Sequence, residues 1–252
     1  MASIASLSRP HLGMLGIEPI RAMLEFARMH FMDDGEHWAG DRHPIVLFPG
    51  LGADRRYMAP LTKFCERRGY VCYDWGRGTN TGPAGDTSQW LRALSTELAA
   101  TVSGHKQRVT LIGWSLGGLY AREVAKAIST RVRHVITLGS PIANVAHSTN
   151  VGWLYEMLNG GTATIDSRLA KTLQTPPPVP TTSIYSRSDG VVAWKACVAR
   201  RGAFTENIEV NSSHLGLVWH PEVMRIVANR LAQREGSWTP WIEHVGTRGK
   251  HG

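Results

Sequence analysis

Short apolar runs alternate with longer amphipathic stretches along most of the chain. Runs rich in β-branched and aromatic residues predict six strands, over residues 44–48, 70–75, 108–112, 134–138, 182–186 and 207–210. Apolar side chains at helical spacing predict helices over residues 57–68, 88–102, 119–128 and from Pro221 onward. Such alternation is typical of an α/β fold, with a mainly parallel central sheet flanked by helices.

An amphipathic segment precedes the first predicted strand. Residues 11–32 carry apolar side chains at i, i+3 and i+4 spacing, with Arg21, Glu25 and Arg28 turned away from that face. We expect one or two helices that pack their apolar side on the core, so that residues 1–43 form a helical extension. A lid, or a helix that contacts lipid, is the alternative interpretation.

Two later segments also fall outside the alternation. Residues 142–180 contain a Gly-Gly break and three consecutive prolines, and we expect a small cap inserted over the sheet. Residues 236–252 are polar apart from two tryptophans, and we expect a tail on the surface. Residues 44–235, including the cap, then form one domain, which suits a chain of 252 residues.

Composition is that of a globular protein. Hydrophobic residues make up 42% of the chain. No apolar run approaches the roughly 20 residues that span a bilayer, and the first residues lack the features of a signal peptide. The three cysteines are scattered, which predicts neither a disulfide framework nor metal ligands and fits a cytoplasmic location.

The chain is basic, with a formal net charge of +8, which favours anionic surfaces or substrates. Its lysines and arginines are spread along the sequence without interleaved aromatic residues. We therefore expect a solvated basic surface and no nucleic-acid binding.

One predicted turn between a strand and a helix carries a serine. Residues 113–117 read Gly-Trp-Ser-Leu-Gly, with the strand before them and the helix after them. In this context the G-x-S-x-G pattern predicts a nucleophile elbow, a tight turn that projects the side chain of Ser115 clear of the backbone. Flanking glycines lack the Cβ atoms that would crowd the turn. A glycine-rich connection without chemistry is the alternative.

Two later loops supply predicted partners for Ser115. A serine hydroxyl needs a base and a group that orients the base. Asp189 comes just after the strand over 182–186, and His214 just after the last strand, which is the chain order of an elbow fold. We predict Ser115, Asp189 and His214 as a catalytic triad. Weaker candidates, in the cap or at the start of the final helix, are Asp166, His147 and His220.

Two backbone N–H groups are predicted to bind the oxyanion. One belongs to Leu116, directly after the nucleophile, and the other to Leu51, in the Pro-Gly-Leu-Gly turn after the first strand. Three tryptophans near these positions or in the cap favour a pocket for an apolar acyl group: Trp114, Trp153 and Trp194. Ordinary core and cap packing is the alternative for each of them.

These motifs together resemble the α/β-hydrolase fold family and, more narrowly, its bacterial triacylglycerol lipase and esterase branch. The resemblance covers residues 44–232 and rests on residues 48–52, 75–83, 113–118, 188–192 and 213–216. It assigns residues 44–235 to an α/β-hydrolase domain that carries the cap.

The resemblance implies a carboxylic ester hydrolase that forms an acyl-enzyme without a metal or organic cofactor. Ser115 would attack the carbonyl, His214 would move the proton, and Asp189 would orient His214. The same residues also serve acyltransferases, thioesterases and amide hydrolases, and a binding protein without activity is the non-enzymatic alternative. The expected partner is a small acyl ester, with peripheral membrane contact and the oligomeric state left open.

Overall fold

Six parallel strands form one sheet in a computed structural model that describes residues 10, 12–31, 40–142 and 172–241. The strands are β1 (Pro44–Phe48), β2 (Val71–Asp74), β3 (Val109–Trp114), β4 (Val132–Leu138), β5 (Thr181–Ser186) and β6 (Thr205–Val210). Their order across the sheet is β2-β1-β3-β4-β5-β6, and each neighbouring pair is parallel. The predicted fold class, a parallel sheet flanked by helices, is confirmed.

Helices connect the strands and cover the sheet. They are α1 (Leu12–Met29), α2 (Arg55–Arg67), α3 (Thr87–Thr101), α4 (Leu116–Ala127), α5 (Trp194–Cys197) and α6 (Pro221–Ala232), with 3-10 turns at Ser129–Arg131 and Leu215–Val218. The carboxylate of Asp86 accepts from the backbone N–H of Gln89 and caps α3. Pro221 begins α6, as predicted. The short helix α5 was not predicted.

The core has two layers, one on each face of the sheet. Alternate residues of β1 show the division, since Val46 and Phe48 pack with α3 and α4, whereas Ile45 and Leu47 pack with α2 and α6. Every residue of β1 is buried, as expected for a strand covered on both faces. The continuous apolar runs of the sequence follow from this two-sided burial.

The N-terminal helix α1 packs on the 3-10 turn at 215–218 and on α6, but with its faces opposite to the expectation. Glu18, Ala22 and Glu25 are buried, and Glu25 was expected to point away from the core. Large apolar side chains of α1 are exposed instead: Ile17, Ile20, Met23, Leu24 and Phe26. The prediction of an inward apolar face is therefore wrong. Glu18 and Glu25 face inward because they accept hydrogen bonds from backbone N–H groups of residues 190, 213 and 214.

Several expectations fall wholly or partly outside the described residues. Most of the predicted cap (143–171) and the end of the tail (242–252) belong to this group. Within the described ranges, no helix is long and apolar enough to cross a bilayer. All three cysteines are free thiols, and a hydrogen bond with Cys72, together with burial, raises the pKa of Cys65.

Candidate active site

Ser115 lies at the turn from β3 into α4 with an unusual backbone conformation. Its φ is 53° and its ψ is −123°, and its N–H donates to Leu138 O at 2.8 Å. Side chains beside it would not fit: a Cβ on Gly113 would lie 2.5 Å from the carbonyl oxygen of Gly117, and a Cβ on Gly117 would lie 2.5 Å from that of Pro49. A positive φ is costly for a residue other than glycine and persists only where the surrounding structure enforces it.

Ser115, His214 and Asp189 form one hydrogen-bonded chain. His214 Nε2 lies 3.1 Å from Ser115 Oγ, and His214 Nδ1 lies 2.7 Å from Asp189 Oδ2. With its proton on Nδ1, the imidazole donates to the carboxylate and accepts from the serine hydroxyl. The three residues come from loops after β3, β5 and β6, which converge because the carboxyl ends of parallel strands share one edge of the sheet.

The carboxylate of Asp189 is fixed by a second set of bonds. Its Oδ1 accepts from the backbone N–H groups of Val191 at 2.8 Å and Val192 at 2.7 Å, which leaves Oδ2 for His214. Asp189 and His214 are each only 3% exposed. The pair is therefore oriented by the backbone and shielded from competing water.

The electrostatic surroundings of His214 act in opposite directions. Burial of the imidazole lowers its pKa, whereas the charge and hydrogen bond of Asp189, and then the charge of Glu18, raise it. The net result is a pKa above the ordinary value of 6.5. His214 is thus suited to hold a proton taken from Ser115.

The turn that carries Leu51 is held by a buried asparagine. Asn80 Nδ2 donates to Pro49 O, its backbone N–H donates to Ala53 O, and its carbonyl accepts from Gly52 N–H, each at 2.8 Å. Leu116 begins α4, and the close approach of Gly117 to Pro49 brings that helix against the same turn. The predicted oxyanion donors therefore belong to two backbone segments in direct contact.

Trp114 is enclosed beneath the site. Its indole N–H donates to His214 O at 3.0 Å, and its ring stacks on Tyr57 with centroids 4.5 Å apart. A Cβ on Gly50 would lie 2.6 Å from this ring. The indole therefore links the Leu51 turn to the backbone of His214.

Of the other two predicted pocket residues, the structure describes only Trp194. Trp194 begins α5, stacks on Tyr185 with centroids 5.8 Å apart, and has the Arg187 guanidinium 4.5 Å from its ring centroid. Trp153 lies outside the described residues, together with the weaker candidates Asp166 and His147. The part of the chain that the structure describes holds no cluster of three or more His, Cys, Asp or Glu side chains arranged for a metal ion.

His220, the remaining weaker candidate, lies directly before α6. Its backbone N–H donates to Gly216 O at 2.8 Å, and burial lowers the pKa of its imidazole. The hydrogen bonds that link Ser115, His214 and Asp189 do not involve it.

Four polar residues that contact the loops of the site are absent from the predicted site residues. They are Glu18, Arg21 and Glu25 of α1, and Asn80. A pair of acids with an arginine between them, on a helix otherwise rich in apolar residues, was the available signal for the first three. Asn80 gave no signal beyond its place in a glycine-rich loop.

Sheet order and site geometry define the chain as an α/β protein with a serine, histidine and aspartate at the carboxyl edge of a parallel sheet. Residues 45–243 match the profile of the alpha/beta hydrolase family. The chain belongs to that family.

Individual relatives match only part of the chain, at modest sequence identity. A triacylglycerol lipase from Pseudarthrobacter phenanthrenivorans is 34% identical over 113 residues, covering 41% of this chain and 34% of the lipase. A pimeloyl-[acyl-carrier protein] methyl ester esterase from Legionella pneumophila is 28% identical over 101 residues, covering 40% of this chain and 39% of the esterase. The matches thus span well under half the length of these relatives.

A solved structure agrees on the fold. The lipase-esterase related protein from Clostridium acetobutylicum superposes with a TM-score of 0.55 at 16% sequence identity. The superposition covers 76% of this chain and 96% of that protein. At this identity the likeness concerns the fold alone.

Proposed function

We propose that the protein is a carboxylic ester hydrolase, a serine esterase or lipase that works through an acyl-enzyme. The observation that carries the proposal is the hydrogen-bonded chain from Asp189 through His214 to Ser115 in a member of the alpha/beta hydrolase family. Sequence matches to a triacylglycerol lipase and a methyl ester esterase favour esters as substrates.

Acylation begins at Ser115. Its Oγ attacks the carbonyl carbon while His214 Nε2 takes the hydroxyl proton, and the carbonyl electron pair moves onto oxygen. The N–H groups of Leu51 and Leu116 bind that oxyanion. When the intermediate collapses, the bond to the alcohol breaks, and His214 gives its proton to the leaving oxygen.

Deacylation repeats these steps with water. The water oxygen attacks the acyl carbon while His214 takes a proton from the water. The bond from the acyl carbon to Ser115 Oγ then breaks, and His214 returns the proton to Oγ. Asp189 stabilises the imidazolium that forms in each half of the reaction. The scheme uses neither a metal nor an organic cofactor.

The proposed substrate is a small ester with an apolar acyl group. Leu116 directly follows Ser115, and Leu51 lies in the turn of the proposed oxyanion donor. The sequence adds Trp153 and Trp194 as further candidates for the acyl pocket. Trp114 contributes from beneath, through its contact with the His214 backbone. The free cysteines fit the cytoplasmic location that forms part of this proposal.

Replacement of the nucleophile tests the proposal. Ser115→Ala should abolish hydrolysis of p-nitrophenyl esters, whereas Ser103→Ala, which changes an exposed serine, should hydrolyse them at the wild-type rate. A fluorophosphonate probe should label the wild type and not Ser115→Ala. Full activity in Ser115→Ala would exclude Ser115 as the nucleophile. Absence of both labelling and hydrolysis in the wild type would favour a binding protein instead.

Transfer to another acceptor is the alternative enzymatic function. An acyltransferase, a thioesterase and an amide hydrolase use the same acyl-enzyme but differ in leaving group or acceptor. Product analysis with a competing alcohol or amine separates transfer from hydrolysis. Acyl esters with rising chain length then define the pocket.

We further propose that the exposed face of α1 contacts an anionic membrane surface. Six of the eight exposed large apolar residues among the described residues lie between positions 17 and 31, with exposed fractions of 40–88%. Both acids of α1, Glu18 and Glu25, point inward. A groove lies between this face and α2, and basic side chains of α2 line it: Arg56, Lys63 and Arg67. An apolar face with a cationic border matches the chemistry of anionic headgroups.

Vesicle sedimentation tests the membrane contact. The protein should sediment with vesicles that contain phosphatidylglycerol, and less with pure phosphatidylcholine or at high salt. Ile20→Ser with Met23→Ser should abolish sedimentation, whereas Phe204→Ser, at an exposed apolar residue elsewhere, should not. Equal binding by all variants, or a concentration-dependent dimer that buries this face in light scattering, would contradict the proposal.

A further inference from the structure

Glu18, a buried residue of α1, joins the two loops that carry Asp189 and His214. Its Oε1 accepts from the backbone N–H groups of Gly190 at 2.8 Å and His214 at 3.1 Å, and its Oε2 accepts from Leu215 N–H at 3.2 Å. One carboxylate thus bonds to the Asp189 loop (187–193) and to the His214 loop (211–214) with the residue after it.

Two further residues of α1 bind the same loops. Glu25 accepts from the N–H of Ser213 at 2.8 Å and from its hydroxyl at 2.5 Å. Arg21 donates to the carbonyl oxygen of Ser188 at 2.5 Å and to its hydroxyl at 2.7 Å. Arg21 also lies 3.9 Å from the Glu18 carboxylate and 4.0 Å from that of Glu25. The buried acids therefore have both hydrogen bonds and a cation between them.

One glycine in the Asp189 loop and one just after the His214 loop allow α1 to approach. A Cβ on Gly190 would lie 2.6 Å from the backbone carbonyl carbon of Met14, and one on Gly216 would overlap the Glu25 carboxylate. The close approach of α1 thus explains why Gly190, directly after Asp189, and Gly216, two residues after His214, lack a side chain. They leave room for the helix that binds the loops.

We propose that Glu18, Arg21 and Glu25 are positioning residues, which hold the Asp189 and His214 loops at the separation that proton transfer requires. This inference rests on the proposed ester hydrolysis. None of the three residues touches Ser115 or the reacting atoms in the proposed scheme. They act through their hydrogen bonds to residues 188, 190 and 213–215 of the two loops and the residue after them.

Glutamine substitutions distinguish the two acids. In Glu18→Gln, one side-chain oxygen becomes an NH₂ group that faces a backbone N–H, which can only donate. In Glu25→Gln, the new NH₂ can donate to the hydroxyl of Ser213, because a hydroxyl both donates and accepts. Loss of positioning should therefore be much larger for Glu18→Gln, although both variants lose one negative charge.

Steady-state kinetics with a p-nitrophenyl ester provide the test. Glu18→Gln should lower kcat by about 100-fold, the size expected from a displacement near 1 Å, with little change in KM. Glu25→Gln should lower kcat by less than about 10-fold. Circular dichroism and thermal unfolding establish whether both variants are folded.

A pH profile separates positioning from general destabilisation. The charged groups that raise the His214 pKa are Asp189, in the loop after β5, and Glu18, on α1. Glu25 and Arg21, from the same helix, bind the neighbouring Ser213 and Ser188. Removal of the Glu18 charge should move the acidic limb of kcat/KM to lower pH. Destabilisation alone would leave the limb in place.

Specific results would overturn the inference. They are an unchanged kcat and an unmoved limb in folded Glu18→Gln, or equal losses in both glutamine variants. If Glu18→Gln does not fold, Arg21→Met decides, because Arg28→Met makes the same change at an exposed position of α1. Equal kcat in these two arginine variants would also overturn it. Labelling of wild-type Ser115 by a fluorophosphonate tests the proposed function separately.

Discussion

At the scale of single residues, two opposing electrostatic effects act on His214, the proposed general base. Burial lowers its pKa, and the neighbouring carboxylates of Asp189 and Glu18 more than compensate. A base must be neutral to accept the Ser115 proton, so the pKa sets the pH at which activity begins. The carboxylates that raise the pKa also stabilise the imidazolium in the proposed reaction. Their cost is that His214 stays protonated, and the enzyme inactive, up to a higher pH.

This balance predicts the pH dependence of activity. Because only neutral His214 accepts a proton, kcat/KM should rise with pH and reach half its maximum above the ordinary histidine value of 6.5. Asp189→Asn removes the largest influence that raises the His214 pKa, so the acidic limb of the kcat/KM profile should move to lower pH. The maximum of kcat/KM should fall about 10³-fold or more. Initial rates from about pH 5 to pH 9 measure both. A limb at the same pH in both proteins would contradict the assignment.

Sequence reasoning could find Ser115, Asp189 and His214 because each follows a strand, and that position is visible in the local pattern. Glu18 was not accessible in the same way. Its partners are backbone N–H groups of residues 190, 214 and 215, far away in the sequence. A buried N–H must be paired, and this tertiary requirement outweighs the amphipathic pattern of α1. The same requirement explains why Glu25 faces inward.

At the scale of elements, the start of α4 lies against the Leu51 turn. The contact requires a glycine at position 117, since a Cβ there would lie 2.5 Å from the carbonyl oxygen of Pro49. Asn80 holds the other side of that turn. The two proposed oxyanion donors are thus positioned by one helix end, one turn and one asparagine.

Gly117→Ala should therefore lower kcat about 100-fold, because the turn must move away from the oxyanion. Helix propensity alone would predict a stabilised helix from this substitution. Gly104→Ala is the matched control, since a Cβ at position 104 meets nothing within 4 Å. Ester hydrolysis and thermal unfolding of both variants give the answer. Wild-type kcat in Gly117→Ala would show that the turn adapts without loss.

At the scale of the whole molecule, a buried ion pair joins the sheet edge to the last helix and the tail. Arg230 of α6 donates to Glu206 of β6 at 2.9 Å and to Thr239 O at 2.7 Å, and Trp241 N–H donates to Glu206 at 2.6 Å. The expected surface tail is thus attached to the edge strand up to residue 241. Local sequence patterns could not predict this attachment, because the residues that form it belong to three separate segments of the chain.

Arg230→Met should lower the free energy of unfolding by about 3 kcal/mol, because the Glu206 carboxylate stays buried without its counterion. The control is Arg187→Met, which breaks an ion pair with Glu209 whose side chains are 60% and 45% exposed. That loss should be below about 1 kcal/mol. Urea unfolding measures both values, and equal losses would contradict the prediction.

The direction in which α1 faces has a consequence for how this enzyme family is delimited. The family profile begins at residue 45, after α1 has ended. The residues inferred to hold the Asp189 and His214 loops, Glu18, Arg21 and Glu25, all precede that boundary. The segment that the family profile covers is therefore shorter than the unit inferred to act in catalysis. A protein shortened to the matched segment would retain Ser115, Asp189 and His214, the proposed reacting residues, and would lose the helix inferred to position two of their loops.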